Sequence, residues 1–424
     1  MEIIILNDYA RVTGGSTAVA LASALGLCDR GFKVTLFTCV GPVAPNLVDH
    51  PNLEIICLDQ PEIGRDPNRA RAMAQGLRNG PAVKRLTELL AGKDPAETIV
   101  HLHTWTKALS PFAAVLAARK GFPLVVTLHD FFITCPTGGF FLHRQGALCH
   151  HRPLSLGCVS CNCDRRNYGH KLWRVLRTVL QNQILKLPAQ VSHFIGVSGF
   201  SLDVMRPYLP THVPVSVIRN PIEFEQAPPV SVAQNSDFVF VGRLEDEKGA
   251  RLFAAATREA GVPGHFIGDG ALTHTLKKDF PELVFHGWLQ PAQIRRALST
   301  ARALVFPPLW YETLGMVVVE AASMGIPAIV SNSCAATDFI ENESTGLYFD
   351  HGSIPSLAKQ MLRLRNHPED AHRLGQAAYR WYWDAPWTTE HHVEKLIEVY
   401  QAILERRSNP SHLGTNLSIP VEAS

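Results

Sequence analysis

The chain has 424 residues and a mass of 46.7 kDa, enough for two large domains or about three average ones. With 46% of its residues hydrophobic and only 18% charged it can bury substantial cores, which excludes a disordered or collagen-like chain. A net charge of +2, from 40 Lys and Arg against 38 Asp and Glu, argues against a nucleic-acid partner.

That balance conceals an asymmetry. Residues 1–190 hold 21 basic and 13 acidic side chains, and the remainder holds 19 and 25. The basic excess peaks between Arg144 and Lys186, where eight cations face Asp164 alone. An anionic partner such as membrane lipid or a diphosphate fits this excess, and so does an ordinary solvated face. The amino terminus, Met1-Glu-Ile-Ile-Ile-Leu, enters a strand pattern without the form of a signal peptide. No apolar run approaches the roughly 20 residues of a membrane span. The expected location is cytoplasmic. Nine scattered cysteines do not read as a secreted disulfide framework.

Along the chain, Ile3–Asn7 is a β-branched run, followed by Gly14-Gly15-Ser16-Thr17 and an alanine- and leucine-rich stretch to Leu27. This is the order strand, glycine loop, helix. The strand signal returns at Lys33–Thr38, Leu53–Leu58, Thr98–His103 and Pro123–Leu128, then, after a helical region over Tyr168–Leu187, at His193–Val197 and Val215–Ile218. Asn220-Pro221 and Ala227-Pro228-Pro229 interrupt the periodicity and mark the best domain boundary. Beyond it the alternation restarts at Phe238–Val241, His265–Ile267, Leu283–Phe285, Ala303–Phe306 and Ala328–Val330. Strands alternating with helices make parallel sheets covered on both faces. The expected fold is α/β: two doubly wound, Rossmann-like domains facing across an interdomain cleft, with the ligand beyond the carboxyl ends of the strands. The expected divisions are 1–222, with a Cys-rich insertion at about 131–170, then 223–380, a helical segment 381–405 bracing the domains, and a flexible tail 406–424. The aromatic cluster Tyr379, Trp381, Tyr382, Trp383 and Trp387 is read chiefly as packing.

Three constellations carry chemistry. The loop at Gly14-Gly15 permits close approach of backbone amides to a phosphate, although it lacks the three-glycine dinucleotide spacing and a ribose-binding acid on the next strand. Val241-Gly242-Arg243-Leu244, trailed by Glu247-Lys248-Gly249, sets two cations beside a helix start, a combination suited to a diphosphate. In Trp310-Tyr-Glu312-Thr-Leu314-Gly315-Met-Val-Val-Val-Glu320, two carboxylates with seven residues between them enter an apolar helix. They can accept hydrogen bonds from sugar hydroxyls at two depths, while the amides of Leu314 and Gly315 meet phosphate. A paired-carboxylate hydrolase is the less attractive reading, because it leaves the two cations unexplained.

With Ile267-Gly268-Asp-Gly270 and His129-Asp130, these motifs resemble the retaining glycosyltransferases of family GT4, of GT-B fold, over roughly residues 1–405. The resemblance implies that Arg243 and Lys248 hold the diphosphate of a sugar nucleotide, Glu320 the ribose, and Glu312 the donor sugar, with His129 near the transferred sugar. It marks Gly15, Gly242 and Gly268 as close-approach positions in the nucleotide site. It implies no cofactor for catalysis, a UDP- or GDP-sugar donor and metal-independent transfer of a hexose. The acceptor is then a glycan or polyprenyl-diphosphate-linked glycan of exopolysaccharide, capsule or lipopolysaccharide assembly. A soluble acceptor of the sucrose- or trehalose-synthase type, or a non-catalytic glycan-binding scaffold, is the alternative. Ser16-Thr17 departs from the charged residue that commonly follows the family's early glycines. His101 and His103, at another strand end, are weaker candidates for the acceptor side.

Two further readings concern the insertion. Cys135, Cys149, Cys158, Cys161 and Cys163 suggest a structural zinc or iron–sulfur site, with redox-active thiols or a disulfide as alternatives. The stretch Arg165–Arg177 mixes cations with Leu, Trp and Val at partly helical spacing. It fits contact with an anionic membrane, arginines outward and apolar stripe inward, or an ordinary packed helix.

Overall fold

Short runs rich in Ile, Val, Leu and Phe, bounded by glycine or proline, form nearly every strand, because a parallel sheet is buried on both faces and needs no polar alternation. The computed structural model describes residues 1–408. In chain order the strands are β1 (Glu2–Tyr9), β2 (Lys33–Val40), β3 (Leu53–Cys57), β4 (Thr98–Leu102), β5 (Leu124–Leu128), β6 (Phe141–Leu142), β7 (Ala147–Leu148), β8 (His193–Gly196), β9 (Val215–Val217), β10 (Asp237–Val241), β11 (Gly264–Ile267), β12 (Val284–Phe285), β13 (Ala301–Phe306), β14 (Ala328–Ser331) and β15 (Gly346–Phe349).

Two compact units result. The first comprises Met1–Gly139, His151–Pro221 and the chain from Trp387; the second comprises Phe140–His150 and Ile222–Pro386. Part of the insertion expected in the first domain, including Cys149, therefore belongs to the second unit. There it forms the antiparallel hairpin β6–β7.

The first unit is built on a parallel sheet of order β3-β2-β1-β4-β5-β8-β9. Ile3 and Ile5 of β1 pack under the helix Gly15–Asp29, which the helix Thr389–Ser408 covers in turn through Val393, Leu396, Val399 and Tyr400. The approach is close: a Cβ on Gly26 would stand 2.7 Å from Val393 Cγ2. That final helix reaches Ser408, so the first residues of the expected tail 406–424 are helical. The rest of the tail lies outside the described residues.

The second unit repeats the plan with a parallel sheet of order β12-β11-β10-β13-β14-β15. The helix Pro368–Asp384 closes it. Tyr382 OH donates to the Ile222 carbonyl at 2.8 Å, Trp383 Nε1 to Ser323 O at 3.0 Å, and Trp381 stacks on Phe339. Trp381, Tyr382 and Trp383 thus pack within the second unit. In each sheet the strand order reverses once, between β1 and β4 and between β10 and β13. Loops leaving neighbouring strands at such a point diverge to opposite faces and open a crevice for ligand. Among the described residues no helix is long and apolar enough to cross a membrane.

Candidate functional site

In the second unit the loops after β10 and β13 are drawn together at the reversal point. Gly249, in the left-handed region at φ +75°, permits the contact: a Cβ there would stand 1.8 Å from the Pro307 carbonyl oxygen. The Glu247 carbonyl accepts the amides of Leu309 and Trp310 at 2.9 and 3.3 Å. Lys248 and Glu312, 64 positions apart, thereby meet, Nζ to Oε2 at 2.5 Å. Trp310 Nε1 donates to the same Oε2 at 3.0 Å, and the ammonium lies 4.9 Å from the Trp310 ring centre. An ammonium has three donors, so one bond to Glu312 leaves donors able to meet an incoming oxygen anion.

Arg243, at the end of β10, is half-exposed, with Nη2 3.6 Å from Glu247 Oε1. Glu247 is buried, and its other oxygen lies 3.9 Å from His143 Nδ1 on the hairpin. Gly242, Gly268 and Gly270 let the β10 and β11 loops stack. A Cβ on Gly268, at φ +133°, would lie 2.0 Å from Gly242 O, and one on Gly270 2.5 Å from Leu244 O. Gly315 starts the helix Met316–Ser323 at φ +86°, its Cα side pressed on the Phe306 ring, while the neighbouring Leu314 side chain is buried. Glu320 lies one turn further into that helix, and burial raises its carboxyl pKa against the opposing pull of Arg295. Arg243, Lys248, Gly242, Gly268, Glu312, Leu314 and Gly315 thus follow the carboxyl ends of β10, β11 and β13, and Glu320 lies on the helix that comes next.

In the first unit the same edge carries a pair of imidazoles. His129 follows β5, and its Nε2 is 2.9 Å from Nδ1 of His103, which follows β4. Burial pushes the His129 pKa down to about 3, and holds His103 and His101 well below the usual imidazole range. His103 Nε2 is buried without a hydrogen-bond partner among the described residues. One proton is shared across the His103–His129 contact. If His129 supplied it, the His103 proton would sit on Nε2 as an orphaned buried N–H, the costlier arrangement. The preferred pair has His103 Nδ1–H donating to His129 Nε2, which puts the His129 proton on Nδ1. The expectation that His101 lines an acceptor site is corrected: it is fully buried, with Nδ1 2.6 Å from Tyr400 OH and Nε2 2.7 Å from Thr127 Oγ1. One nitrogen joins the sheet to the final helix and the other bonds a neighbouring strand, so neither is left for a ligand.

At the glycine loop, Gly15 opens its helix. Gly14 is extended, with open space around the position of a Cβ. Thr17 turns inward: its Oγ1 accepts from Thr13 N at 2.8 Å and Gly14 N at 3.2 Å, bracing the loop. Sequence reasoning missed Asp8. Its buried carboxylate accepts the amides of Lys107, Ala108 and Leu109 at 2.8–2.9 Å and pins the β4 loop to the end of β1. A lone acid after a strand gives no signal of this role. Glu247 was missed for a similar reason, since it reads as one surface charge in the run Glu245–Lys248.

The zinc or iron–sulfur reading of the cysteines finds no support. Cys149 belongs to the second unit and the other four cysteines to the first. Among the described residues no three His, Cys, Asp or Glu side chains are arranged to hold a metal ion. The fully buried Lys171 instead extends its ammonium to Cys163 Sγ at 3.2 Å and Cys158 Sγ at 3.5 Å, putting a positive charge where a dication would bind.

Comparison with known proteins agrees with this architecture. Residues 14–157 match the family described as Glycosyl transferase 4-like domain, and residues 222–381 match Glycosyl transferases group 1. The sulfoquinovosyl transferase SQD2 of Arabidopsis thaliana is 31% identical over 148 residues, 33% of this chain and 28% of that protein. The UDP-Gal:alpha-D-GlcNAc-diphosphoundecaprenol alpha-1,3-galactosyltransferase of Escherichia coli is 29% identical over 177 residues, 35% of this chain and 45% of that one. The matched stretches thus span less than half the length of these two relatives. Among solved structures, the sucrose-phosphate synthase of Thermosynechococcus elongatus superposes with a TM-score of 0.69 at 17% identity, over 95% of this chain and 99% of that one. With two parallel sheets, each reversing order once, and family matches on both halves, the chain belongs to the GT4-type glycosyltransferases of GT-B fold.

Proposed function

We propose that the protein transfers a hexose from a UDP- or GDP-sugar to a glycan or polyprenyl-diphosphate-linked acceptor in cell-surface polysaccharide synthesis, at the cytoplasmic face of the membrane and with retention at the anomeric carbon. The observation that carries this reading is the Lys248–Glu312 pair beside Arg243 at the strand-order reversal of the second unit. Two cations there suit a diphosphate, and a carboxylate held by both Lys248 and Trp310 suits a sugar hydroxyl. The galactosyltransferase among the relatives is named for a UDP-sugar donor and a diphosphoundecaprenol-linked acceptor, which supports both ends of the reaction.

As the glycosidic bond breaks, the leaving diphosphate gains negative charge. Arg243 and Lys248 stabilise it more in the transition state than in the ground state, each contributing about 3 kcal/mol. Glu320, in a setting that raises its pKa, accepts from or donates to the ribose hydroxyls. His129 stays neutral across the physiological range and acts on the sugar as a hydrogen-bonding group, not as a cation.

The test is a donor screen with UDP-, GDP- and ADP-sugars, with and without a detergent extract of polyprenyl-linked glycans, comparing wild type with Glu312→Ala. We expect nucleotide release from one donor, stimulated by the extract and reduced about 10²-fold or more in the variant. Transfer to free sugar without the extract would favour the soluble-acceptor reading. No release from any donor, together with no nucleotide binding by calorimetry, would sink both.

A further inference from the structure

The helix Tyr168–Val179 and the π-helical turn Leu180–Ile184 that continues it are built inside out. Their cations point in. Lys171 is wholly buried on two cysteine sulfurs, and Arg177 donates to Thr106 O at 3.1 Å beneath the rings of Phe132 and Trp173. Arg174 reaches Asp164 at 3.3 Å and Thr137 O at 3.2 Å. Val175 packs inward, but four other apolar side chains are exposed: Tyr168, Leu172 at 42% exposure, Leu176 at 53% and Ile184 at 63%. This reverses the expected orientation of arginines outward and apolar stripe inward.

Two neighbouring helices extend the same surface. Tyr168 OH donates to Val159 O at 3.0 Å, joining the short helix Leu156–Ser160, on which Leu156 is 90% exposed. Trp173 packs so closely on the helix Arg69–Leu77 that a Cβ on Gly76 would stand 2.5 Å from its ring, and Met73 of that helix is also exposed. Met73, Leu156, Tyr168, Leu172, Leu176 and Ile184 make up six of the eleven large hydrophobic side chains exposed among the described residues. Such a concentration marks an interaction surface. Its charge selects the partner. Arg152, Arg165, Arg166 and Lys186 of the same stretch of chain are exposed, and the single acidic residue of 151–190, Asp164, is buried against Arg174. A second copy of the same cationic face would be repelled.

We propose that this face docks on the surface of an anionic lipid bilayer, the outward leucines entering the headgroup boundary and the exposed arginines meeting lipid phosphates. For its purpose the proposal rests on the reading of a lipid-carried acceptor; for its evidence it does not.

The test is flotation with vesicles of phosphatidylcholine alone or mixed with phosphatidylglycerol, run beside the donor-hydrolysis assay. Wild type is expected to float with the anionic vesicles and to stay behind with the neutral ones. The variants Leu172→Ser/Leu176→Ser and, separately, Leu156→Ser should weaken that binding by about tenfold and severalfold. Arg165→Gln/Arg166→Gln should weaken it and flatten its salt dependence. All should hydrolyse donor at the wild-type rate. Wild type failing to float with anionic vesicles, or the leucine variants floating as well as wild type, overturns the proposal. So does a wild-type dimer in light scattering that the leucine variants dissolve, since that assigns the face to a second copy. Flotation intact with no donor turnover removes the transfer reading and leaves the docking surface standing.

Discussion

The two units share one plan and use it in opposite electrostatic styles. At the reversal point of the second sheet the side chains are charged and partly exposed: Arg243, Lys248 and Glu312. At the corresponding edge of the first, His103 and Asp8 are buried and His129 is partly buried, and desolvation works against ionisation in all three. Cations that remain solvated are ready to meet a diphosphate at little desolvation cost. Neutral imidazoles in a dry setting offer directed hydrogen bonds without attracting anions. The same backbone topology therefore supports two different kinds of recognition, set by which residue types end the strands.

The largest expected break in this contrast is at the charged edge. Arg243→Ala or Lys248→Ala should lower kcat/KM for the donor by about 10²- to 10³-fold, with Lys248→Arg recovering little because a planar fork replaces a compact ammonium. Steady-state kinetics on the purified variants checks this, and a loss below threefold would remove both residues from the reaction.

The imidazole edge should reveal itself through pH. Burial depresses the pKa of His129 to about 3, of His193 and His392 to about 4, and of His101 and His103 well below normal. Unfolded, each titrates near 6.5. From about pH 6.5 down to 4 the unfolded chain takes up protons that the folded unit refuses, so stability falls with pH by about 1.4 kcal/mol per unit for each histidine. Asp130, raised by burial to about 6, and Asp8, also raised by burial, work in the opposite sense over the same window and offset part of the slope. Urea midpoints measured from pH 7.5 to 5 should drop, with hydrogen exchange locating the loss in the first unit. A level midpoint would show that these histidines are not held neutral.

Smaller effects sharpen the comparison. His103→Asn should lower kcat about tenfold with little change in KM, because His129 loses the donor that fixes its tautomer. A nitrogen-15 spectrum showing the His129 proton unmoved from Nδ1 would refute that account. Tyr400→Phe removes one buried hydrogen bond to His101 and should cost about 1 to 2 kcal/mol, measured by thermal unfolding, with donor kinetics unchanged.

Most strands were legible because a parallel sheet leaves continuous apolar runs in the sequence. β15 escaped notice: four residues, Gly346–Phe349, beginning with a glycine, carry too little pattern. The hairpin β6–β7 has two residues per strand and no alternation to detect. Arg243 and Glu312 could be placed at strand ends from the glycines around them, but the buried partner Glu247 could not, since its environment comes from the loop after β13 and from the hairpin. The helix at Tyr168 misled for a physical reason. Periodicity assumes that cations seek water, whereas Lys171 and Arg177 find sulfur, carbonyl and ring partners supplied by distant segments. The cysteines misled likewise, their spacing suggesting a metal while the lysine that lies among them is eight or more positions away.

The final helix, Thr389–Ser408, lies against the helix Gly15–Asp29 and joins the core that begins at Ile3. Segments nearly 400 residues apart in the sequence thus make one folding unit. On the ribosome, the first sheet emerges well before its cover: at roughly 5 to 20 residues per second, the stretch between residues 221 and 408 takes on the order of ten to forty seconds to synthesise. Throughout that interval Leu21, Ala24 and Leu27 have no Val393 or Tyr400 to pack against. Nascent chains stalled near residue 230 should therefore be captured by chaperones that bind exposed apolar surface, and deleting the helix Thr389–Ser408 should damage the first unit more than the second.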